Sequence, residues 1–490
     1  MRGVVRVVAS LGLVMGAGGG ALGQVPDRST PPELGPPPRL DLPDIQQFTL
    51  ANGLPVLLME SHRVPVVEVV LVVQAGAADE PKGKEGLASM TAAMLDEGAG
   101  SRTALQVADA IDFLGATLAT NAGHHSTVVT LHTPLSKLAD ALSIMVDVAL
   151  RPTFPAEELE RQRAERLTTL LQWRDEPSAI ASVAFADALY GSGHPYGHPT
   201  MGSSVSVAGL AAEDLRAFYA ARFKPGAATL VVAGDVTRAS LEPLLAGGFG
   251  GWPTGTASPG ELPAATQIER REIWIVDKPG AEQSEIRIGR IGADRLTEDY
   301  HEIVVMNTIL GGSFTSRLNQ RLREERGYSY GAYSEFVFRP APGPFVAQAA
   351  VQTVVTDSAL AVFMREISGI LERVSESELQ RAKNYAALGY PQNFETVAST
   401  VDAMTEIAMY DLPRDTFDRF IDEIMGVTSE DVERVARRYL DPDRVAIIVV
   451  GDRSAIEPGI RALNLGTVHV MTIADVLGPA PELGEDPRGR

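Results

Sequence analysis

Apolar residues follow two different spacings along this chain, and together they predict both strands and helices. Residues 66–74 are a nearly continuous run of valines, which predicts a buried strand. Residues 116–133 are rich in threonine and valine and predict further strand. Residues 135–150 and 156–173 carry apolar positions at helical spacing and predict two long helices. The chain is therefore predicted to pack helices against sheets.

Segments of this pattern occur twice, and one constant offset relates the two copies. The matching pairs are residues 68–71 with 285–288, residues 214–225 with 431–442, and residues 231–235 with 448–452. The same offset at both ends of the repeat predicts two homologous halves, at residues 45–250 and 265–480. Residues 251–264 are rich in glycine, proline, threonine and serine and predict a linker. The predicted fold class is α+β, with a cleft between two related domains.

Residues 86–98 predict a helix with two neighbouring faces of different character. One face is an apolar stripe made of Leu87, Met90, Met94 and Leu95. The next face carries Ser89, Ala92 and Ala93, which lie at i, i+3 and i+4 and therefore point into one patch. This patch offers one hydroxyl group and two methyl groups.

Residues 311–330 predict a second short helix that continues into a strand. Its apolar stripe consists of Phe314, Leu318 and Leu322. Gly327 fits the left-handed position that ends a helix, and residues 328–338 alternate as a strand does. Because the chain turns directly from helix to strand at Gly327, we expect Arg323 and Tyr330 to lie at the same end of this element.

The frame of residues 86–98 resembles the inverted zinc helix of the pitrilysin- and insulysin-type metallopeptidases, the inverzincins, which include processing peptidases and bacterial relatives. In that family a G-x-A-H-x-x-E-H-M-x-x-x-G run places two histidines and a glutamate on one helical face. The residues that fit this frame are Gly86, Ala88, Met94 and Gly98. The three chemical positions are degenerate here and are occupied by Ser89, Ala92 and Ala93.

The resemblance implies that this chain does not hold the catalytic zinc. A catalytic zinc site needs about three nitrogen, oxygen or sulfur ligands in addition to a water molecule. Serine is a poor ligand and alanine is none. The family's third ligand, a glutamate on a later helix, falls near Thr168 or Thr169. We therefore expect no metal and no other cofactor on this chain.

The segment of residues 311–330 is similar to the family's second hallmark, an arginine and a tyrosine seven residues apart. Arg323 and Tyr330 match this pair, and the matching surroundings are Leu322, Arg326 and Gly327. In the family these side chains reach a peptide held at the zinc. Arginine offers fixed donors to carbonyl oxygens, and a tyrosine hydroxyl can donate to a developing oxyanion. The resemblance thus implies that Arg323 and Tyr330 bind substrate.

Some bacterial members of the family divide the two hallmarks between two chains. The resemblance covers almost the whole mature chain and implies two α/β sandwich domains, each an antiparallel-rich sheet packed by helices. It also implies the non-zinc subunit of a heterodimeric zinc metalloendopeptidase. Such a subunit binds peptide or unfolded protein, is inactive alone, and is completed by a homologous partner that carries H-x-x-E-H and the zinc. The alternatives are a non-enzymatic scaffold or assembly subunit of the same fold, and a stand-alone peptide-binding protein.

Composition narrows the range of partners and sites. The formal net charge is −20 at pH 7 and the pI is about 4.9. Phosphate binding needs a basic surface, so we expect no nucleic-acid partner. The chain contains no cysteine, which excludes disulfides and thiolate metal sites.

The N-terminus has the three parts of a secretory signal peptide: a short basic start, an apolar stretch and a small-residue cleavage site. We expect cleavage after Gly23, which removes residues 1–23, and a periplasmic or secreted mature protein without membrane insertion. Residues 24–44 are rich in proline and predict a disordered segment. Residues 481–490 predict a disordered tail.

Overall fold

The computed structural model describes residues 35, 37, 40–258, 260 and 262–483. Contacts divide the chain into Met1–Pro37 and Pro38–Arg490, and every element below lies in the second unit. The predicted signal peptide, most of the predicted proline-rich segment and residues 484–490 lie outside the described residues. Among the helices of the described part, none combines the length and the apolar character that a membrane span requires.

The first sheet has six strands in the order β1-β2-β8-β3-β7-β6. They are β1 (Gln46–Thr49), β2 (Pro55–Glu60), β3 (Val66–Val73), β6 (Thr117–Ala122), β7 (Thr127–Pro134) and β8 (Ala228–Gly234). A separate two-stranded hairpin consists of β4 (Gly98–Ala99) and β5 (Arg102–Thr103). The valine run predicted as a buried strand is β3, a central strand in which seven of eight residues are buried.

The second sheet repeats this arrangement, in the order β14-β9-β13-β10-β12-β11. Its strands are β9 (Glu272–Asp277), β10 (Gln283–Ile291), β11 (Tyr333–Phe336), β12 (Pro344–Gln352), β13 (Ala446–Gly451) and β14 (Thr467–Met471). The starts of β9, β10 and β12 follow those of β2, β3 and β7 at the offset of the sequence repeat. The sheets differ at one edge, where β1 is antiparallel to β2 but β14 is parallel to β9. The predicted α+β fold with two homologous domains is confirmed.

Helices of each half cover one face of that half's own sheet and form its main core. The first half contains α1 (Leu87–Ala93), α2 (Ala104–Phe113), α3 (Leu138–Leu150), α4 (Ala156–Gln172), α5 (Pro177–Tyr190), α6 (Ser204–Ala208), α7 (Ala212–Arg222) and α8 (Arg238–Phe249). The second half contains α9 (Tyr300–Leu310), α10 (Arg317–Asn319), α11 (Thr356–Gly369), α12 (Glu376–Gly389), α13 (Val397–Tyr410), α14 (Thr416–Gly426), α15 (Ser429–Tyr439), α16 (Arg453–Ala462) and α17 (Ile473–Leu477). The two long helices predicted from the sequence are α3 and α4.

One helix of each half packs instead on the sheet of the other half. The helix α5 lies against β10 and β13, where Ile180 and Phe185 pack with Ile448. The helix α13 lies against β3 and β8, where Val401 and Met404 belong to the same apolar cluster as strand residues of the first sheet. Because α13 follows α5 at nearly the offset of the sequence repeat, these two contacts are counterparts. Each sheet is therefore covered on both faces, which fits the nearly continuous apolar runs of the central strands β3 and β13.

Candidate functional site

The helix α1 is shorter than the sequence predicts, and glycines fix the backbone beyond both ends. The prediction extends to Gly98, but α1 ends at Ala93. Gly98 has φ +142° and begins the β4–β5 hairpin, so the chain has already left the helical direction there. Gly86 has φ +93°, and a Cβ atom at this position would lie 2.5 Å from the carbonyl oxygen of Met201. Only glycine lets the loop of residues 198–202 lie this close to the start of α1.

The face of α1 that carries Ser89 is covered by polar contacts. The Ser89 hydroxyl donates to the carbonyl oxygen of Thr200 at 2.7 Å. It accepts from Nη1 of Arg166, on α4, at 2.8 Å. The same nitrogen donates to the carbonyl oxygen of Gly86 at 3.2 Å. One guanidinium thus connects α4 to the first turn of α1, and one hydroxyl connects α1 to the loop of residues 198–202.

Two ionisable groups lie partly buried at the N-terminal end of α1. Burial raises the pKa of Glu80 to about 8, and its carboxyl oxygens accept from the backbone N–H groups of Gly86 at 3.1 Å and Ala88 at 2.7 Å. Burial lowers the pKa of Arg166 to about 10, while the nearby Glu80 acts in the opposite direction. Arg166 therefore keeps its positive charge at neutral pH, and α1 begins between a carboxyl group and a guanidinium.

The side chains on this face do not fit a zinc ion. A guanidinium has only donors, methyl groups have no lone pairs, and the one hydroxyl oxygen already bonds to Arg166. The hydroxyls of Thr168 and Thr169, near the expected third-ligand position, donate to carbonyl oxygens of α4 itself at 2.8 Å and 3.1 Å. In the part of the chain that the structure describes, no three histidine, aspartate or glutamate side chains are grouped as a metal site requires.

Arg166 is the residue of this face that the sequence analysis missed. Its bond to Ser89 joins residues 77 positions apart, so no local pattern contains it. A weaker signal was present on α4. The buried leucines Leu159 and Leu170 lie on one stripe of that helix, and Arg163 and Arg166 occupy helical positions between them. An arginine inside an apolar stripe indicates a buried hydrogen-bond acceptor or acidic group that pairs with it.

The helix that precedes Arg323 ends in a widened turn. After α10 the chain continues as a π-helical turn over Gln320–Glu324, and such turns occur often at functional sites. Gly327 has φ +64°, which confirms its predicted left-handed conformation. The N–H of Tyr328 donates to the carbonyl oxygen of Leu322 at 2.8 Å and closes the helix end. The direction in which Arg323 leaves the helix is fixed by this turn.

The structure brings Arg323 and Tyr330 together. The guanidinium carbon of Arg323 lies 5.2 Å from the centroid of the Tyr330 ring and 4.5 Å from that of the Phe314 ring. Tyr330 is 89% exposed and Phe314 is 53% exposed. The prediction of a strand over residues 328–338 is right only for Tyr333–Phe336, the extent of β11, and Tyr330 lies on the irregular segment before it. Cation–π attraction therefore holds the guanidinium near two exposed rings.

Phe314 does not belong to the apolar stripe in which the sequence placed it. Leu318 and Leu322 are fully buried, as predicted. Phe314, however, precedes the start of α10 at Arg317, so helical spacing does not govern its direction. Phe314, Arg323 and Tyr330 form a cluster that is separate from Ser89. Among the described residues, no hydrogen bond, ion pair or aromatic contact joins this cluster to Ser89.

The strand β6 forms one edge of the first sheet and lies beside α1. The Thr120 hydroxyl donates to the carbonyl oxygen of Ala92 at 2.7 Å; Ala92 is 1% exposed and Ala93 is half-buried. The outer edge of β6 pairs with no other strand of the described chain. A cavity of about 530 Å³, lined in part by Leu118 and Asp96, adjoins this edge, and burial raises the pKa of Asp96 to about 6. Unpaired backbone groups are therefore available next to α1.

Sequence profiles of two peptidase groups match adjoining parts of this chain. The profile described as "Insulinase (Peptidase family M16)" matches residues 55–203, a range that contains α1 and β6. The profile described as "Peptidase M16 inactive domain" matches residues 209–385, a range that contains Arg323 and Tyr330. Together the two matches cover both groups of residues described above.

Related proteins and solved structures are similar over most of the chain. An uncharacterized zinc protease of Mycobacterium tuberculosis is 26% identical over 435 residues, which are 85% of this chain and 96% of that protein. One of Mycobacterium leprae is 29% identical over 287 residues, 58% of this chain and 64% of that protein, slightly under two thirds of its length. The crystal structure of a peptidase M16 inactive domain from Pseudomonas fluorescens has a TM-score of 0.78 at 27% identity, covering 83% of this chain and 98% of that chain.

Proposed function

Because this chain belongs to the insulinase family of peptidases, family M16, we propose that it is the catalytically incomplete subunit of a heterodimeric zinc metalloendopeptidase. It binds and orients peptide substrate, and a homologous partner with H-x-x-E-H supplies the zinc. One observation carries the proposal: the half-buried Arg323 and the exposed Tyr330 lie together, while the Ser89 face of α1 offers no suitable metal ligand. The pattern of residues 1–23 supports a site of action in the periplasm or outside the cell.

The two retained side chains have complementary roles in this proposal. The Arg323 guanidinium donates to carbonyl oxygens of the bound peptide and fixes its position. The Tyr330 hydroxyl donates to the oxyanion that develops at the peptide carbonyl on the partner's zinc site. Because Phe314 and Tyr330 already contact the guanidinium, Arg323 loses less conformational freedom when peptide binds.

The edge strand β6 supports an extended conformation for the bound peptide. An extended peptide can add to a free sheet edge through its backbone hydrogen bonds, which do not depend on sequence. This mode suits unfolded protein as a substrate, because the backbone is what all unfolded chains share. The cavity beside Leu118 and Asp96 gives room for a substrate side chain.

The proposal is tested by reconstitution with a zinc-bearing M16 subunit and assay of an unfolded peptide. We expect Tyr330→Phe to lower kcat of the assembled complex roughly 100- to 1000-fold, the typical loss for one oxyanion donor. Arg323→Ala should lower kcat and also raise KM, because it removes contacts made with bound peptide. Tyr333→Phe is the matched control, since Tyr333 is also exposed and lies three residues away on β11.

Each alternative function predicts a different result in the same experiment. A scaffold or assembly subunit predicts full turnover with Arg323→Ala and Tyr330→Phe in an intact complex, which would contradict the proposal. A stand-alone peptide-binding protein predicts that the isolated chain captures unfolded peptide and forms no complex with the zinc-bearing subunit. Assembly is followed by size-exclusion chromatography, so loss of turnover is separated from loss of pairing.

A further inference from the structure

Arg166 occupies a position that an arginine seldom takes. It lies, partly buried, within the apolar stripe of α4, and its Nη1 atom is within hydrogen-bond distance of two acceptors on α1, Ser89 Oγ and Gly86 O. Burying a charge is costly unless it is hydrogen-bonded or paired. Burial lowers the pKa of Arg166, and the nearby Glu80 partly offsets that shift. The Glu80 carboxyl group supplies the opposite charge above its own raised pKa of about 8. Below that pH the hydrogen bonds to α1 are what stabilise the guanidinium.

The contacts of Arg166 link three separate segments. The guanidinium bonds to α1, and the Ser89 hydroxyl that it contacts bonds in turn to Thr200 at 2.7 Å. Gly86, the second acceptor, lies directly against Met201. The first turn of α1, the middle of α4 and the loop of residues 198–202 therefore meet around one positive charge.

We propose that Arg166 is the resident cation of this site: it holds α1, α4 and the loop of residues 198–202 together, and it excludes divalent metal ions even when ligands are restored on α1. The physical reason is direct. A fixed guanidinium a few ångströms from a second cation repels it strongly in a partly buried site. This inference concerns the chain alone and does not depend on a partner or on substrate binding.

The test introduces a metal-binding pair on α1 and varies only the residue at position 166. The variant Ser89→His/Ala93→His places two imidazoles at i and i+4 on one helical face, an arrangement that binds zinc. In the presence of Arg166 we expect weak zinc binding. Adding Arg166→Gln should raise zinc affinity at least about 100-fold, and Arg166→Glu more, because it also supplies a carboxylate ligand. Zinc affinity is measured by chelator competition on the purified full chain.

Two further variants separate charge from shape and from damage to α4. Arg166→Lys keeps the positive charge but not the fork of donors, so the histidine pair should still bind zinc weakly. Arg163→Gln removes an arginine of the same helix that bonds the carbonyl oxygen of Leu210 instead of α1, so it should leave zinc binding unchanged. Circular dichroism confirms that each variant is folded.

The outcomes decide the inference without reference to peptidase activity. Equal zinc affinity with Arg166 and with Arg166→Gln would overturn it, and so would tight zinc binding with Arg166→Lys. A zinc-dependent rise in Tm for the Arg166→Glu variant, absent when Arg166 is present, would support it. None of these results bears on whether Arg323 and Tyr330 serve a partner's zinc centre, so the two proposals fail separately.

Discussion

The two regions that the family resemblance singles out have opposite physical character. Around Ser89 the polar atoms are paired with one another and the helix face is covered. Around Arg323 the aromatic rings are exposed and the guanidinium contacts both of them, while its ion pair with Glu324, at 3.5 Å, is only partly buried. A closed, internally satisfied region stabilises the fold, whereas an exposed cationic and aromatic cluster is available to a ligand. The difference supports the proposed role of Arg323 and Tyr330 as side chains that contact the substrate.

The internal repeat sharpens this contrast. At the offset of the repeat, α1 corresponds to the last part of α9. The α9 residues at the positions of Ser89, Ala92 and Ala93 are large and almost completely buried: Met306, Ile309 and Leu310. One face of the same element is thus ordinary core in the second half. In the first half the same face has small residues, which leave room for Arg166.

The largest effect within the closed region is expected at Glu80. Burial raises its folded pKa to about 8, above the unfolded value of 4.5. The folded state therefore binds the proton more tightly, and this contribution to stability is present below pH 4.5 and lost as pH rises through 8. We expect Glu80→Gln to remove up to about 4 kcal/mol of pH-dependent stability between pH 5 and 9. Urea unfolding at several pH values measures this loss. The prediction is contradicted if the unfolding free energies of the wild type and of Glu80→Gln change with pH in parallel.

A smaller effect is expected where the loop meets α1. Gly86→Ala forces a side chain into φ +93° and places its Cβ 2.5 Å from Met201 O. Gly53 has φ +89° and open space around the position of an added Cβ, so Gly53→Ala carries the backbone strain alone. We expect Gly53→Ala to cost about 1 kcal/mol and Gly86→Ala about 3 kcal/mol of unfolding free energy, measured by urea denaturation. Equal losses would mean that the loop of residues 198–202 moves away from the added methyl group at little cost, and that the region around α1 is not tightly packed.

The sequence predicted most of what depends on local pattern and repetition. The strand starts follow the offset of the repeat, and Gly327 has the left-handed conformation that its position suggested. The missed features are of two kinds: some are set by local irregularities of the backbone and others by contacts distant in sequence. The helix α1 stops early because Gly98 enters a hairpin. Periodicity does not indicate on which sheet α5 packs, and the Ser89 partner of Arg166 is far away along the chain.

The packing of α5 and α13, each on the sheet of the other half, was missed for the same reason. An amphipathic stripe shows that a helix buries one face, but any sheet with an apolar outer face satisfies it. The choice of sheet follows from the chain path between the halves, which single-sequence patterns do not contain. Arg323 and Tyr330 could be identified because their motif is short and local; the contact of Arg323 with Phe314 could not, since Phe314 lies outside helical register.

The smallest expected effect concerns that contact and tests whether the exposed cluster is organised or merely exposed. Phe314 lies 4.5 Å from the Arg323 guanidinium, and an exposed cation–π contact contributes about 0.5–1 kcal/mol. We expect Phe314→Ala to lower kcat/KM of the reconstituted complex about three- to fivefold, because Arg323 must then be ordered by the substrate. Phe314→Trp should retain activity, and Leu296→Ala, a similarly exposed apolar side chain, should have no effect. Full activity with Phe314→Ala would mean that Arg323 is held by Tyr330 or by the peptide alone, and that the cluster has no more internal order than the rest of the surface.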